Sequence, residues 1–309
     1  MSAAPVLAAT ATQPVVSRAW LGLLCGVSAA VLFSGKAVLV RLAYAHGGEA
    51  TALMGLRMAA SLPFFAAIAW WFARRDGRLP IGDTVRLLLL GILGYHLASW
   101  LDLEGLRFID AAFERVVLYM YPTLVLAVAV LRGRNVFNLR LVIALLATYG
   151  GILLTWGDRI TVGSGSGAGV ALVAASAVVF AIHMVLTEDL VRKIGGVRAM
   201  AVSMLGACAT TIVHALIAAP VNLLAPNAPV VSCGLALALT GTVIPVLLFG
   251  MAVARLGSAR AAMVGCVAPA MTALIGWMTL GEHLGALGWT GIVVTTLGAI
   301  LIGQPRKPA

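Results

Sequence analysis

Lys36 stands in a run of the chain, 19–43, that holds only one other charged residue, Arg41. In a lipid-soluble helix an ionised side chain near the bilayer centre costs about 2.5 to 3.5 kcal/mol on insertion scales, so it faces protein or a wet cavity. Lys36 can therefore bind a substrate carboxylate or serve proton exchange; equally, it can snorkel or close a buried structural ion pair. His183 poses the same choice. A second set, Tyr95, His96, Ser99 and Trp100, has the i to i+4 spacing that stacks His96 with Trp100 and Tyr95 with Ser99 on one helical surface. Ring faces and a few hydrogen bonds suit an amphipathic small molecule. His96, with an unperturbed pKa of about 6.5, is the best candidate proton carrier. The alternative puts Trp100 in the interfacial aromatic belt and His96 in a bond to a neighbouring helix.

A third set runs from Asp110 through Glu114, Arg115 and Tyr119 to Tyr121 and Pro122, with Arg115 and Tyr119 on one face. Glu114 and Arg115 can form a gate or a proton relay, or join Asp102, Glu104 and Arg107 in a hydrated salt-bridge cluster. Pro122 and Pro269 each remove a backbone donor in mid-helix and kink the chain there. Arg57 can bind a carboxylate or pair with outer-side acids.

Other chemistry is absent from the pattern. No HExxH, GxSxG or paired intramembrane carboxylate is legible, so no enzyme is expected. Cys25, Cys208, Cys233 and Cys266 stand singly, with no metal or disulfide spacing. The glycine-rich stretch 163–169 has no Walker lysine and is expected to be a flexible joint; no cofactor is implied.

The elements that carry these residues follow from composition. The 309 residues are 61% hydrophobic and 10% charged, with mean hydropathy +1.04, too little charge for a water-facing surface. A spanning helix takes roughly 20 apolar residues. Ten such runs are expected, near 19–43, 50–73, 84–107, 110–131, 137–157, 168–190, 197–219, 232–254, 259–280 and 284–303. Residues 1–18 and 304–309 are expected to be tails, the first without the basic start of a cleaved signal peptide. With the N-terminus cytoplasmic, most of the 21 basic residues fall on inside joints, so the positive-inside rule puts both termini in the cytoplasm. The same spread accounts for a pI near 10.2 without nucleic acid as a partner.

One ungapped offset of 147 residues pairs Phe33 with Phe180, Lys36 with His183, Gly94 with Gly241, Pro122 with Pro269 and Gly151 with Gly298. Residues 19–157 and 169–303 are thus expected to be two copies of a five-helix unit, joined by 158–168. An odd number of helices per copy inserts the second upside down. Inverted repeats favour a carrier whose halves rock about a midplane site, to which Phe180 contributes beside Lys36 and His183.

The second copy holds Ala252-Val-Ala-Arg-Leu-Gly-Ser-Ala259, Pro269, Leu280-Gly-Glu282, Gly291 and Leu297-Gly298; the first holds Gly105-Leu-Arg-Phe-Ile-Asp-Ala-Ala112 and Pro122, with Arg134-Asn135 where Gly281-Glu282 would stand. The pattern resembles the EamA family of the drug/metabolite transporter superfamily. The resemblance implies a multi-pass bacterial inner-membrane exporter of small metabolites, amino acids or related zwitterions above all, with Tyr95 and His96 placed as in the family's amino-acid exporters. Proton coupling and homodimerisation, which Gly22 and Gly26 would permit, stay open. The alternatives are a carrier of nucleotide-sugars, phosphorylated metabolites or drugs, and a membrane receptor or structural protein. From sequence alone, Lys36→Ala and His96→Ala are expected to insert normally and to lose transport in a proteoliposome assay.

Overall fold

The computed structural model describes residues 15–131, 139–161, 166–265 and 268–303. Arg134-Asn135, Cys266, both chain ends and part of the joint between the copies lie outside the described residues. What is described is helical, without a strand. In the first copy α1 spans Val15–Ala45, α2 Ala50–Arg75, α3 Ile81–Gly91, α4 Ala98–Gly105, α5 Ala111–Leu118, α6 Tyr121–Leu131 and α7 Leu139–Thr161. In the second, α8 spans Gly167–Ile194, α9 Gly196–Ala218, α10 Pro220–Leu224, α11 Ala228–Ala238, α12 Ile244–Leu256, α13 Ser258–Val264, α14 Ala268–Leu280 and α15 Ala286–Gly303. A π turn, Ile92–Leu97, carries α3 into α4, and another, Leu239–Val243, carries α11 into α12. Helix starts, π turns and helix breaks thus recur at the offset read from the sequence. α1 begins at Val15, inside the stretch expected to be tail.

Six helices, Trp20–Ala45, Ala50–Arg75, Ile81–Gly105, Gly167–Ile194, Gly196–Ala218 and Ala228–Leu256, are long and apolar enough to cross a membrane. Ala268–Leu280 and Ala286–Gly298 are shorter apolar helices. The runs at 110–131 and 259–280, each expected as one helix, are broken. Pro122 and Pro269 are the second residues of α6 and α14, in the first turn where proline is readily accommodated. Pro269 leaves the Gly265 carbonyl, four residues before it, without its helical donor. The Tyr119 hydroxyl, at the corresponding break in the first copy, donates to that carbonyl.

Equivalent helices meet across the two copies. α2 packs on α9 with Gly55 against Ala215 and Met58 against Cys208, so the pair runs antiparallel. α7 packs on α15 with Gly151 facing Thr295 and Gly291, and Thr155 facing Gly291 and Gly288, again antiparallel. The glycines bring these backbones together; a Cβ on Gly291 would strike Thr155 Oγ1 and the Gly151 carbonyl. The turns at 46–49, 106–110, 219–227 and 281–285 share one end, here the upper end: Asn227 Nδ2 donates to the His46 carbonyl (2.7 Å), and Arg41 to that of Leu106 (3.3 Å). At the lower end Lys193 pairs with Asp83 (2.7 Å), and Arg198 donates to the Gly77 carbonyl.

Apolar side chains cover the flanks: Trp20, Leu146 and Ile217 are 61%, 69% and 77% exposed. In water this surface would aggregate, but in lipid it is matched. Gly291→Leu is predicted to force the α7–α15 crossing apart and lower stability by about 1 to 3 kcal/mol, the usual cost of overpacking, read as an earlier thermal transition in detergent.

Candidate functional site

Helices of both copies enclose a cavity with about 870 Å³ of space not filled by protein atoms, including open solvent. The first copy supplies Phe33, Lys36, Arg57, Tyr95, Ser99, Asp102, Arg115, Tyr119 and Tyr121; the second supplies Ser176, Phe180, Thr242 and Phe249 among others. The two ends of the cavity differ. Toward the upper end stand the charges, and toward the middle the rings.

At the charged end Lys36 Nζ donates to Asp102 Oδ2, both side chains being buried. Gly241 lies beside the Lys36 stem, an added Cβ there falling at an ordinary contact distance of 3.7 Å. Repeat-equivalent Gly94 makes room for His183, whose ring an added Cβ would strike. Arg115 donates to the Phe33 carbonyl (2.9 Å) and has its Nε 3.7 Å from Glu114 Oε2, too far for a hydrogen bond. Arg57 is 3% exposed. Its Nε and Nη2, Arg115 Nε, Asp102 Oδ1 and both Glu114 oxygens have no hydrogen-bond partner among described residues. Such orphans are costly, so both donors and acceptors in this corner are poised for a ligand or water.

The aromatic wall is a chain of edge contacts. Tyr95 lies 6.3 Å from Phe180, Phe180 5.3 Å from Tyr121, and Tyr121 5.5 Å from Tyr119 between centroids. His183 sits behind this wall, edge-on to Tyr95 at 5.1 Å and stacked on Phe180 at 5.9 Å. Its Nδ1 donates to the Leu90 carbonyl (2.7 Å) just ahead of the first π turn, where the backbone leaves the regular helical ladder. His183 therefore orients the wall from outside the lining.

The sequence-derived candidates divide accordingly. Lys36, Tyr95, Tyr119, Phe180 and Arg115 come together in the lining. His96 does not: its Nδ1 is bonded to Thr211 Oγ1 (2.9 Å) on α9, with the His214 ring 5.2 Å away. Trp100 packs against His214 at 5.8 Å and among the upper apolar residues. Glu114 is buried one layer behind the lining, against Asp102 and Arg115. Only Glu104 and Arg107 form the exposed pair expected of the whole upper cluster (3.0 Å).

Sequence reading found no paired intramembrane carboxylates, yet the fold buries Asp102 and Glu114 near enough for the charge of each to act on the other. The signal for Asp102 was available: it follows Tyr95 and Ser99 by seven and three residues, on their helical face. For Arg57, Tyr121 and Phe249 as wall residues only packing decides.

Above the cavity, Glu282 in the α14–α15 turn accepts from the Ala111 (3.1 Å) and Ala112 (3.3 Å) N–H groups at the start of α5, with Arg41 3.8 Å away. A carboxylate from one copy thus caps a helix of the other. Burial and the neighbouring Asp110 hold its carboxyl above the ordinary range, against the two amides and Arg41.

The EamA-like transporter family model matches residues 20–157 and again 167–304. The chain is 29% identical over 282 residues to an uncharacterised transporter, YcbK, of Bacillus subtilis (strain 168), spanning 89% of this chain and 90% of that one. A crystal structure of a further protein superposes with TM-score 0.68 at 19% identity, covering 91% of this chain and 95% of the other, a likeness of fold alone.

Among the described residues, Asp102 is the one carboxylate that lines the cavity with Lys36, Arg57 and Arg115. Breaking a buried ion pair leaves an uncompensated charge, at about 3 to 5 kcal/mol. Asp102→Asn is predicted to cost that much and Lys36→Met less, since Asp102 keeps the field of Arg57 and Arg115 when Lys36 is gone. Thermal unfolding of the two variants in detergent measures the order.

Proposed function

The chain belongs to the EamA-like transporter family, and from that premise we propose that it carries amino acids or related zwitterions out of the cell through the cavity between its copies. The observation that carries this reading is the corner holding Lys36, Asp102, Arg57 and Arg115 beside the ring wall of Tyr95, Tyr119, Tyr121 and Phe180. A zwitterion offers one carboxylate to the unpaired guanidinium donors and one ammonium to Asp102. It replaces each half of the Lys36–Asp102 pair by an equal charge, so neither member of that pair is left uncompensated whether the carrier is loaded or empty. The rings receive an apolar side chain.

The broken helices α5–α6 and α13–α14 and the antiparallel α2–α9 and α7–α15 pairs support ten spans in two inverted sets of five. Rocking one set against the other would open the midplane cavity to either side in turn. In this reading the upper end faces outward, both termini are cytoplasmic, the membrane is the bacterial inner membrane, and proton exchange drives export. His96 holds α9 and is not the proton carrier.

A second reading, transport of a monoanionic metabolite, is favoured by one observation: among the described residues, three cationic side chains line the cavity against one carboxylate. Flux assays in proteoliposomes with labelled amino acids beside small organic acids and phosphorylated metabolites separate the two. We predict amino-acid flux that is abolished by Lys36→Ala, weakened in apparent affinity by Phe180→Ala and retained by His96→Ala. Movement of organic acids alone would overturn the zwitterion reading in favour of the second.

A further inference from the structure

Arg57 is buried on α2 and lines the cavity. A guanidinium keeps its charge at physiological pH and presents its donors as a fixed fork. Two of those donors, Nε and Nη2, are buried and without a hydrogen-bond partner among the described residues. The elements packed on α2 bring no carboxylate that is free to meet them. α4 brings Asp102, bonded to Lys36 of α1, and Glu104, paired with Arg107. α1 otherwise brings Arg41 and Tyr44, whose hydroxyl donates to the Leu103 carbonyl (2.8 Å) and is therefore neutral. α9 brings Arg198 at the lower end, Cys208 turned to Met58 Sδ (3.9 Å), and His214 beside Trp100 and His96. α10, α11 and the π turn Leu239–Val243 carry no acid, and Glu49, the N-cap of α2, lies about 12 Å along the axis from Arg57. Arg115 adds a further unbonded donor, its Nε 3.7 Å from Glu114. Asp110 and Glu282 stand above on the amides that open α5, the second with Arg41. Among the described residues the corner thus sets Lys36, Arg57 and Arg115 against Asp102 and Glu114, one positive charge in excess, and a proton on Glu114 would only enlarge it. A buried charge without a partner is strongly destabilising.

We propose that a small monovalent anion of the chloride class binds in the cavity on the Nε and Nη2 donors of Arg57, as the counter-charge that the chain itself does not supply. Charge-assisted bonds from a guanidinium suit such an ion, and a single excess charge calls for a single negative one. A phosphate dianion would overshoot. The inference stands on the charges of the empty cavity and holds whichever metabolite is carried. A neutral zwitterion brings no net charge, so it enters beside the anion, its carboxylate going to Arg115 and Lys36. A monoanionic cargo would instead take the anion's place.

The test measures binding of radiolabelled chloride to the full chain, purified in detergent without substrate in a halide-free buffer of a bulky sulfonate. The wild type is expected to bind chloride saturably, one ion per chain, displaced by bromide and not by sulfate. Arg57→Gln is expected to bind it roughly 10- to 100-fold more weakly, the worth of hydrogen bonds to a charged group. Crystals of the wild type soaked in bromide give a second measurement that needs no variant: the anomalous peak is expected in the cavity beside Arg57. Absence of saturable binding by the wild type, undiminished binding by a folded Arg57→Gln, or bromide found only outside the cavity would each overturn the proposal. These results leave the carrier reading untouched, and failure of every amino acid to move while chloride still binds would reject that reading alone.

Discussion

Charge inside a lipid-immersed bundle must be compensated within the bundle, and the Lys36–Asp102 pair is where this chain meets that constraint. Around it the packing follows. Gly241 lies against the lysine stem, the π turn of α3–α4 re-aims the face that ends in Asp102, and the break between α5 and α6 sets Arg115 and Tyr119 on the same cavity. Lys36 and Asp102 compensate each other in charge, while donors on Arg57 and Arg115 and an acceptor on Asp102 have no hydrogen-bond partner among the described residues. That residual demand is what a ligand or water in the cavity would meet.

Backbone groups obey the same economy. A proline break frees a carbonyl that lipid cannot satisfy. The Tyr119 hydroxyl takes that of Gly265, and the Tyr121 hydroxyl that of Ala262 (3.3 Å), so residues at one copy's break close the other's. Ser34 and Thr272 add a second tie, Thr272 Oγ1 donating to the Ser34 carbonyl (3.0 Å). These bonds lie between the copies, at the place where rocking would make and break them. Glu282 and Arg41 join the copies at the upper end, as Lys193–Asp83 does at the lower.

Much of this was legible in the sequence because lipid imposes a simple code. Long apolar runs gave the helices, and one offset paired Pro122 with Pro269, Gly94 with Gly241 and Lys36 with His183, all of which occupy matching places. The two proline-bearing runs read as single helices because hydropathy does not register a break that keeps its apolar character. The site was legible where a polar residue stood out against its run, as with Lys36, Tyr95 and Arg115. It was not legible where two faces of one helix both carry polar groups: His96 adjoins Tyr95 in sequence yet turns to Thr211, while Asp102, grouped with the exposed Glu104 and Arg107, turns inward.

The central claim is that this charged, ring-walled space is reached from one side of the membrane and then the other. Ala98, which lines it, can report this as the sole cysteine in a chain whose four native cysteines are replaced. Labelling Ala98→Cys in oriented vesicles with a membrane-impermeant thiol reagent, from each face and with or without substrate, is the direct measurement. The account predicts reaction from both faces and protection by substrate. Reaction from one face only, whatever is added, would contradict it.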